Sequence, residues 1–351
     1  MITQPIYVLA DDITGAAEIA GIAHRYGLRT KVCIDRADAD IADVDVTVIA
    51  TDARSYGPDE AARMMKDALQ SLPQENAILF HKVDSALRGN VQSQLNTLPT
   101  GAIYMPANPS KGRIIKDGVY YINGTEISQT DFRFDPEFPA WSSRVEERFP
   151  GIRYANAETS ADVRRVARQA LAEGLVLAGA ADLFEALLMI THQLSDGIAS
   201  PHSPLAIPSG KTIIVCGSTQ SKPLNIGLPI YTMPLDVFYE KAKPVTWSAT
   251  ILNRNVSHEG LILTIGDKEV RQGKSAAVYL RNVMAEVTCT LAEAIHPNSI
   301  IVEGGATAFA ILSNLPYTVF NVMKEIASGV VHLQTSDGLS VILKPGSYSW
   351  Q

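Results

Sequence analysis

The feature that most constrains this chain is the recurrence of short, continuous apolar runs separated by stretches with helical periodicity. The runs fall at residues 7–10, 30–34, 46–50, 77–82 and 101–105, and helical patterns occupy 15–26, 58–71 and 85–98 between them. A strand solvated on one face alternates apolar with polar residues. A strand that is apolar throughout must be covered on both faces, and intervening helices supply the cover. The pattern predicts an α/β fold with a mainly parallel sheet flanked by helices.

From 117 to 140 the pattern breaks into Gly, Asp-Pro and aromatic residues without a helical period, which predicts a hairpin and an irregular excursion. A helix over 159–173 and a strand over 175–178 follow. The segment "SDGIASPHSPLAIPSG", 195–210, carries three prolines and reads as a linker. Alternation then restarts with strands at 212–216, 260–265, 299–302 and 340–344, and helices over 275–295 and from Thr307. With roughly 100–200 residues per domain, the 351-residue chain divides into domains at 1–203 and 209–351. No fixed-period repeat or low-complexity run is visible.

Thirty Lys and Arg against 37 Asp and Glu give a net charge of -7, which favours a small polar ligand over nucleic acid or an anionic membrane surface. Cys33, Cys216 and Cys289 are far apart and form neither a CxxC pair nor a zinc-ligand spacing. The most apolar window, 175–190, is interrupted by Asp182 and Glu185, and the first residues carry no signal-peptide pattern. These observations predict a cytoplasmic protein, for which a homodimer is the base-rate expectation.

Ligands of open parallel sheets bind beyond the C-terminal ends of the strands. After the first run come Asp11, Asp12, Thr14 and Gly15. One carboxylate there suffices as a helix N-cap. Two adjacent ones repel unless a cation, a proton or substrate hydroxyls hold them, and such a pair suits a general base or a sugar-hydroxyl acceptor. "KVDSALRGN" supplies Lys82, Asp84, Ser85 and Arg88, which fits either a capped, solvated loop or a ligand bearing both carboxylate and hydroxyls. "ANPSKGR" places Lys111 and Arg113 around Gly112, as a basic surface turn or an oxyanion fork. In the second half, "CGSTQSK" and "EGGATA" are small-residue turns of the kind that let backbone N–H groups approach phosphate. No GxGxxG occurs, and "IGDKEVRQGKS" has Lys268 where a P-loop needs glycine.

Taken together, these stretches resemble the four-carbon acid sugar kinase family. The resemblance is carried by "ADDITGAAEIAG", "TDARSYGPDEA", "KVDSALRGN", "PANPSKGRIIKDGVYYINGTEISQTDFRFDP", "GSTQS", "EGGATA" and "LKPGSYS". It implies an acid-sugar-binding N-terminal domain, an ATP-binding C-terminal domain and an active site in the cleft between them. The implied reaction is phosphorylation of a hydroxyl of threonate, erythronate, 3-oxo-tetronate or a similar acid, using ATP and Mg²⁺. The implied acid-sugar site comprises Asp11, Asp12, Thr14, Gly15, Arg54, Lys82, Asp84, Ser85, Arg88, Gly89 and Arg113, with Asp12 and Asp84 as catalytic candidates. The implied nucleotide site comprises Gly217, Ser218, Ser221, Gly304, Gly305, Thr307, Lys344 and Gly346, and no metal ligands are identified. The chain departs from the family pattern at Ala306, where an acid is usual, in a short segment after "GSTQS", and in its closing turn. These departures leave a second reading open, an acid-sugar-binding sensor or pseudokinase with an impaired ATP site.

Overall fold

Ile6–Ala10 (β1) is buried at every position, as its continuous apolar sequence requires, and it forms the centre of a parallel sheet. In the computed structural model the described residues are 4–37, 41, 44–73, 77–135, 137–192, 209–217, 226–254, 259–266 and 273–346. The chain divides into two compact units, Met1–Ser200 and Pro201–Gln351. The 195–210 linker lies almost wholly outside the described residues.

The first unit contains α1 (Ile13–Arg25), β2 (Thr30–Ile34), β3 (Val46–Ala50), α2 (Pro58–Ser71), β4 (Ile78–Lys82), α3 (Val91–Leu95) and β5 (Ala102–Met105). An antiparallel excursion follows, β6 (Arg113–Lys116), β7 (Val119–Ile122) and β8 (Thr125–Glu126). Then come α4 (Val145–Arg148), α5 (Ser160–Ala172), β9 (Val176–Gly179) and α6 (Ala181–Thr191). All six strands of the main sheet are parallel, in the order β2-β3-β1-β4-β9-β5. From β1 the chain first builds outward on one side, through β2 and β3, and then crosses to β4 on the other. That reversal is a topological switch point, and it opens a crevice beyond the C-terminal ends of β1, β3 and β4.

The second unit repeats the scheme with β10 (Thr212–Cys216), β11 (Ile230–Thr232), α7 (Leu235–Phe238), α8 (Pro244–Leu252), β12 (Gly260–Thr264), α9 (Lys274–Ile295), β13 (Ser299–Glu303) and α10 (Gly305–Asn314). It ends with β14 (Val319–Ala327), β15 (Val330–Gln334) and β16 (Ser340–Lys344). The order β11-β12-β10-β13-β16 is parallel, and its switch point falls between β10 and β13. β15 and β14 add antiparallel strands beyond β16. Ile214, Cys216, Ile262, Ile301 and Ile342 form a buried cluster in this unit.

Two expectations need correction. The predicted helix over 85–98 is reduced to Val91–Leu95, because residues 86 and 88 give their backbone N–H groups to the Asp84 carboxylate and Leu87 and Gly89 adopt positive φ. The β14–β15 pair was missing from the sequence reading, although Phe320 and Val322 are buried while Asn321 and Met323 are exposed, the period of a half-solvated strand. No helix among the described residues is long and apolar enough to cross a membrane.

Gly260 has φ of 122° and pairs with Thr212, whose carbonyl a Cβ at 260 would overlap. Gly260→Ala is therefore expected to destabilise the second unit by on the order of 3 kcal/mol, combining backbone strain with overpacking. Urea denaturation checks this, and an unchanged midpoint contradicts the β10–β12 packing.

Candidate active site

At the end of β1 the chain turns into α1 through two carboxylates with different surroundings. Asp12, in extended conformation, caps α1 by accepting the Gly15 N–H at 2.9 Å, while Asp11 is fully buried. Gly15 has to be small, since a Cβ there would lie 2.6 Å from Asp12 Oδ1 and 3.0 Å from Lys82 Nζ.

What holds the two acids together is Arg54, on the short turn Ala53–Ser55 that follows β3. Its Nε and Nη2 donate to the two oxygens of Asp11 at 3.0 and 2.6 Å, and its Nη1 donates to Asp12 Oδ2 at 2.9 Å. Nη1 also lies 3.5 Å from Asp84 Oδ1. Burial alone would lower the Arg54 pKa, but Asp11, Asp12 and Asp84 carry it well above its ordinary value. Burial pushes the Asp11 carboxyl up, with Arg54 opposing and Asp12 reinforcing the shift.

Asp84, just past β4, is saturated. Its Oδ2 accepts the N–H groups of Ala86 and Arg88 at 2.8 and 3.2 Å and Arg88 Nε at 3.1 Å, and its Oδ1 accepts Arg88 Nη2 at 2.9 Å. Burial would raise this carboxyl, but Arg54 and Arg88 together hold it far below the usual carboxylate range. The loop closes back on β1 at Gly89, whose φ of 100° suits glycine and whose Cβ would lie 3.0 Å from Asp11 Oδ2.

A second charge group sits on α1. Glu18 takes Lys111 Nζ at 2.5 Å and Lys82 Nζ at 3.4 Å. Burial raises its carboxyl, and the two lysines more than reverse this, so the net shift is downward. Sequence reasoning missed Glu18. The available signal was a lone acid inside the apolar stretch "ITGAAEIAGIA", four residues after Thr14 and so on the same helix face. Thr14 itself is half-buried on the first turn.

Arg113, at the start of β6, donates to the Ser85 hydroxyl, and the Tyr120 hydroxyl donates to the Ser85 carbonyl. Among the described residues Arg113 has no carboxylate partner. The structure thus joins Asp11, Asp12, Arg54, Asp84 and Arg88 in one ion network, sets Lys82 against Gly15 and Glu18, and pairs Ser85 with Arg113.

In the second unit the strand ends are built from backbone. Gly217 follows β10, donates its N–H to the Glu303 carbonyl at 3.2 Å, and packs so closely that a Cβ would lie 2.7 Å from Thr307 Cβ. Gly304, at φ of 101°, is the N-cap of α10 and donates to the Lys344 carbonyl at 3.0 Å. Among the described residues nothing would meet a Cβ at Gly304 within 4 Å. A Cβ at Gly346 would lie 3.9 Å from Gly304 Cα. Gly217, Gly304, Gly305, Thr307, Lys344 and Gly346 therefore converge beyond β10, β13 and β16, whereas Ser218 and Ser221 lie outside the described residues. An open, glycine-lined helix N-terminus fits a phosphate chain.

Glu303, also missed in the sequence, forms a 3.0 Å ion pair with Lys344, their side chains 6% and 2% exposed. Lys344 Nζ also donates to the Pro345 carbonyl at 3.3 Å. Burial, with Glu303 adding to it, pushes the Cys216 thiol up to about 12, which keeps it un-ionised. Ala306 is exposed on the first turn of α10. Among the described residues no group of three or more His, Cys, Asp or Glu could hold a metal ion.

Comparison with known proteins agrees with this division. Family models described as a sugar-binding N-terminal domain and a nucleotide-binding C-terminal domain match residues 6–187 and 244–348. A D-threonate kinase of Salmonella typhimurium is 30% identical over 147 residues, covering 40% of this chain and 35% of that enzyme. The chain thus spans about a third of that relative's length where the two align. A 3-oxo-tetronate kinase of Brucella melitensis is 25% identical across 97% of this chain and 92% of its own. A crystal structure of a Haemophilus influenzae protein shares the fold, with a TM-score of 0.70, 19% identity, and coverage of 98% of this chain and 97% of that one.

Replacing Arg54 with Met leaves Asp11, Asp12 and Asp84 without their shared counterion, an expected loss of about 3–5 kcal/mol. In the native protein Asp84 titrates below its unfolded value, so the stability it contributes is present above pH ~4 and lost as pH falls. In Arg54→Met the clustered carboxylates titrate above their unfolded values, so stability is regained as pH falls from 8 towards 5. Melting temperatures across that range check the reversal. A variant whose stability is flat from pH 8 to 5 contradicts the shared-counterion role.

Proposed function

We propose, for a chain that belongs to the four-carbon acid sugar kinase family, that it is an ATP-dependent kinase phosphorylating a hydroxyl of a four-carbon sugar acid. The observation that carries this reading is the charge accounting beyond β1, β3 and β4. Arg54 is committed to Asp11, Asp12 and Asp84, Arg88 to Asp84, and Lys82 and Lys111 to Glu18. Among the described residues Arg113 holds a serine hydroxyl and an aromatic ring and no carboxylate, so its planar fork is open to a substrate carboxylate.

Asp12 is the best-placed base. It is half-buried with its side chain 21% exposed and one hydrogen bond on each oxygen, whereas Asp11 is sealed at 0% and Asp84 accepts four hydrogen bonds and has its acidity greatly increased. A strongly depressed pKa makes a weak proton acceptor, so Asp84 acts better as the anchor of the Arg88 loop. Thr14, Lys82 and Ser85 then line the path of the sugar hydroxyls. In the second unit, the first-turn backbone N–H groups of α10 from Gly305 onward meet the phosphates of ATP, which supplies the transferred phosphoryl group, while Gly217 and Gly304 spend their own N–H groups on the Glu303 and Lys344 carbonyls and keep the turns small. Mg²⁺ would enter with those phosphates, since the described residues hold no preformed cage. Use of ATP suits the cytoplasm, as do cysteines that form no disulfide.

The test is ADP release from Mg-ATP with D-threonate and D-erythronate, alongside melting temperature with each ligand. The kinase reading expects stabilisation by nucleotide and by one acid, and turnover of that acid. Stabilisation by an acid without any response to saturating Mg-ATP overturns it in favour of a sensor. Asp12→Asn retains an N-cap side chain, so it is expected to fold normally while kcat falls by about 10²–10⁴. Turnover at the wild-type rate removes Asp12 as the base. Arg113→Gln is expected to raise KM for the acid roughly 10-fold or more with little change in KM for ATP, as loss of a charge-assisted contact requires.

A further inference from the structure

The excursion after β8 carries "QTDFRFDP", whose aromatic residue Phe132 lies beside two cations of the candidate site. The turn that presents it is pinned from both ends. Thr130 Oγ1 accepts the Phe132 N–H at 3.4 Å, and the Phe132 carbonyl accepts the N–H groups of Asp135 and Ala140 at 3.2 and 3.0 Å. The ring is half-buried, and the guanidinium carbons of Arg88 and Arg113 each lie 5.8 Å from its centroid. Asp135, three residues on, lies 3.6 Å from Arg88 Nη1.

We propose that Phe132 is a positioning residue for substrate selection, its ring bracing Arg88 and Arg113 together so that Arg113 is already oriented when a sugar-acid carboxylate arrives. The inference rests on the sugar-acid reading above. A guanidinium is attracted to the negative face of an aromatic ring. An arginine held this way loses less side-chain freedom on binding than one that must be recruited from solvent. Arg88 has its carboxylates Asp84 and Asp135 to fix it, but among the described residues Arg113 has Ser85 and the ring and no carboxylate, so Phe132 matters most to Arg113. Phe132 offers no group that could accept or donate a proton, so its effect belongs in binding rather than in the chemical step.

Phe132→Leu is expected to raise KM and the calorimetric Kd for D-threonate about tenfold, with kcat within about twofold of wild type. Phe132→Tyr, which keeps the ring, should retain the wild-type Kd. Arg113→Gln combined with Phe132→Leu should bind no more weakly than Arg113→Gln alone, because both remove the same interaction. A fall in kcat with unchanged KM, a Tyr variant as weak as the Leu variant, or losses that multiply in the double variant would each overturn the proposal. Should Leu at 132 prevent folding, Phe132→Met makes the same comparison with a flexible side chain that lacks a ring face. D-threonate binding without phosphoryl transfer would remove the kinase reading and still leave the calorimetric comparison to decide Phe132. Absence of D-threonate and D-erythronate binding by the wild type would overturn both.

Discussion

The first unit depends on one guanidinium. Two strand ends bring three acids to the crevice, Asp11 and Asp12 after β1 and Asp84 after β4, and their mutual repulsion would open the sheet there were it not for Arg54 after β3. The interaction works because it is buried and forked. Arg54 spends Nε and Nη2 on Asp11 and Nη1 on Asp12, a geometry that a point-like lysine charge could not reproduce. Burying such a cluster is costly compared with an apolar core, so its presence argues for a role in fixing geometry rather than in adding stability.

Topology makes this convergence possible. In each unit the central strand, β1 or β10, is flanked by neighbours reached in opposite directions along the sheet, so the loops that follow them part and leave a crevice. Every predicted residue that the structure describes lies at or beyond a strand end on that side. The same rule explains why residues distant in sequence, such as Asp11, Arg54 and Asp84, meet without any local motif linking them.

The strands of the first unit and the strand-end positions were legible because a doubly covered parallel strand must be apolar throughout and a ligand must sit at its C-terminal end. The residues 85–98 misled for a physical reason. Their composition suits a helix, but the buried Asp84 carboxylate, two and four residues before them, outcompetes the helical ladder for the N–H groups of Ala86 and Arg88, a local competition that the apolar period of the segment does not register. Glu18 and Glu303 were missed for the complementary reason. Each reads as an ordinary acid in sequence, and becomes informative only once Lys82, Lys111 or Lys344 is seen to neutralise it. Arg54 and Arg113, both in the acid-sugar site that the resemblance implies, separate only when their partners are counted, three carboxylates for Arg54 and a serine hydroxyl for Arg113.

The two units solve recognition by opposite means. The first uses side chains, and side chains discriminate: a ligand must match one uncommitted guanidinium, one accessible carboxylate and the hydroxyl-bearing residues between them. The second, in the proposed reading, uses the backbone of the α10 N-terminus between the small turns at Gly217 and Gly304, and its buried Glu303–Lys344 pair is neutral in sum. Backbone N–H groups and a helix dipole read the phosphate chain whatever side chains adjoin them. An exposed Ala306 on the first turn of α10 therefore leaves intact the helix N-terminus proposed to meet phosphate. By the same logic, if the proposed kinase reading holds, substitutions that change which sugar acid is taken belong beyond β1, β4 and β5, whereas substitutions that add a Cβ to the glycine turns beyond β10 or β13 should impair nucleotide binding without changing which acid is chosen.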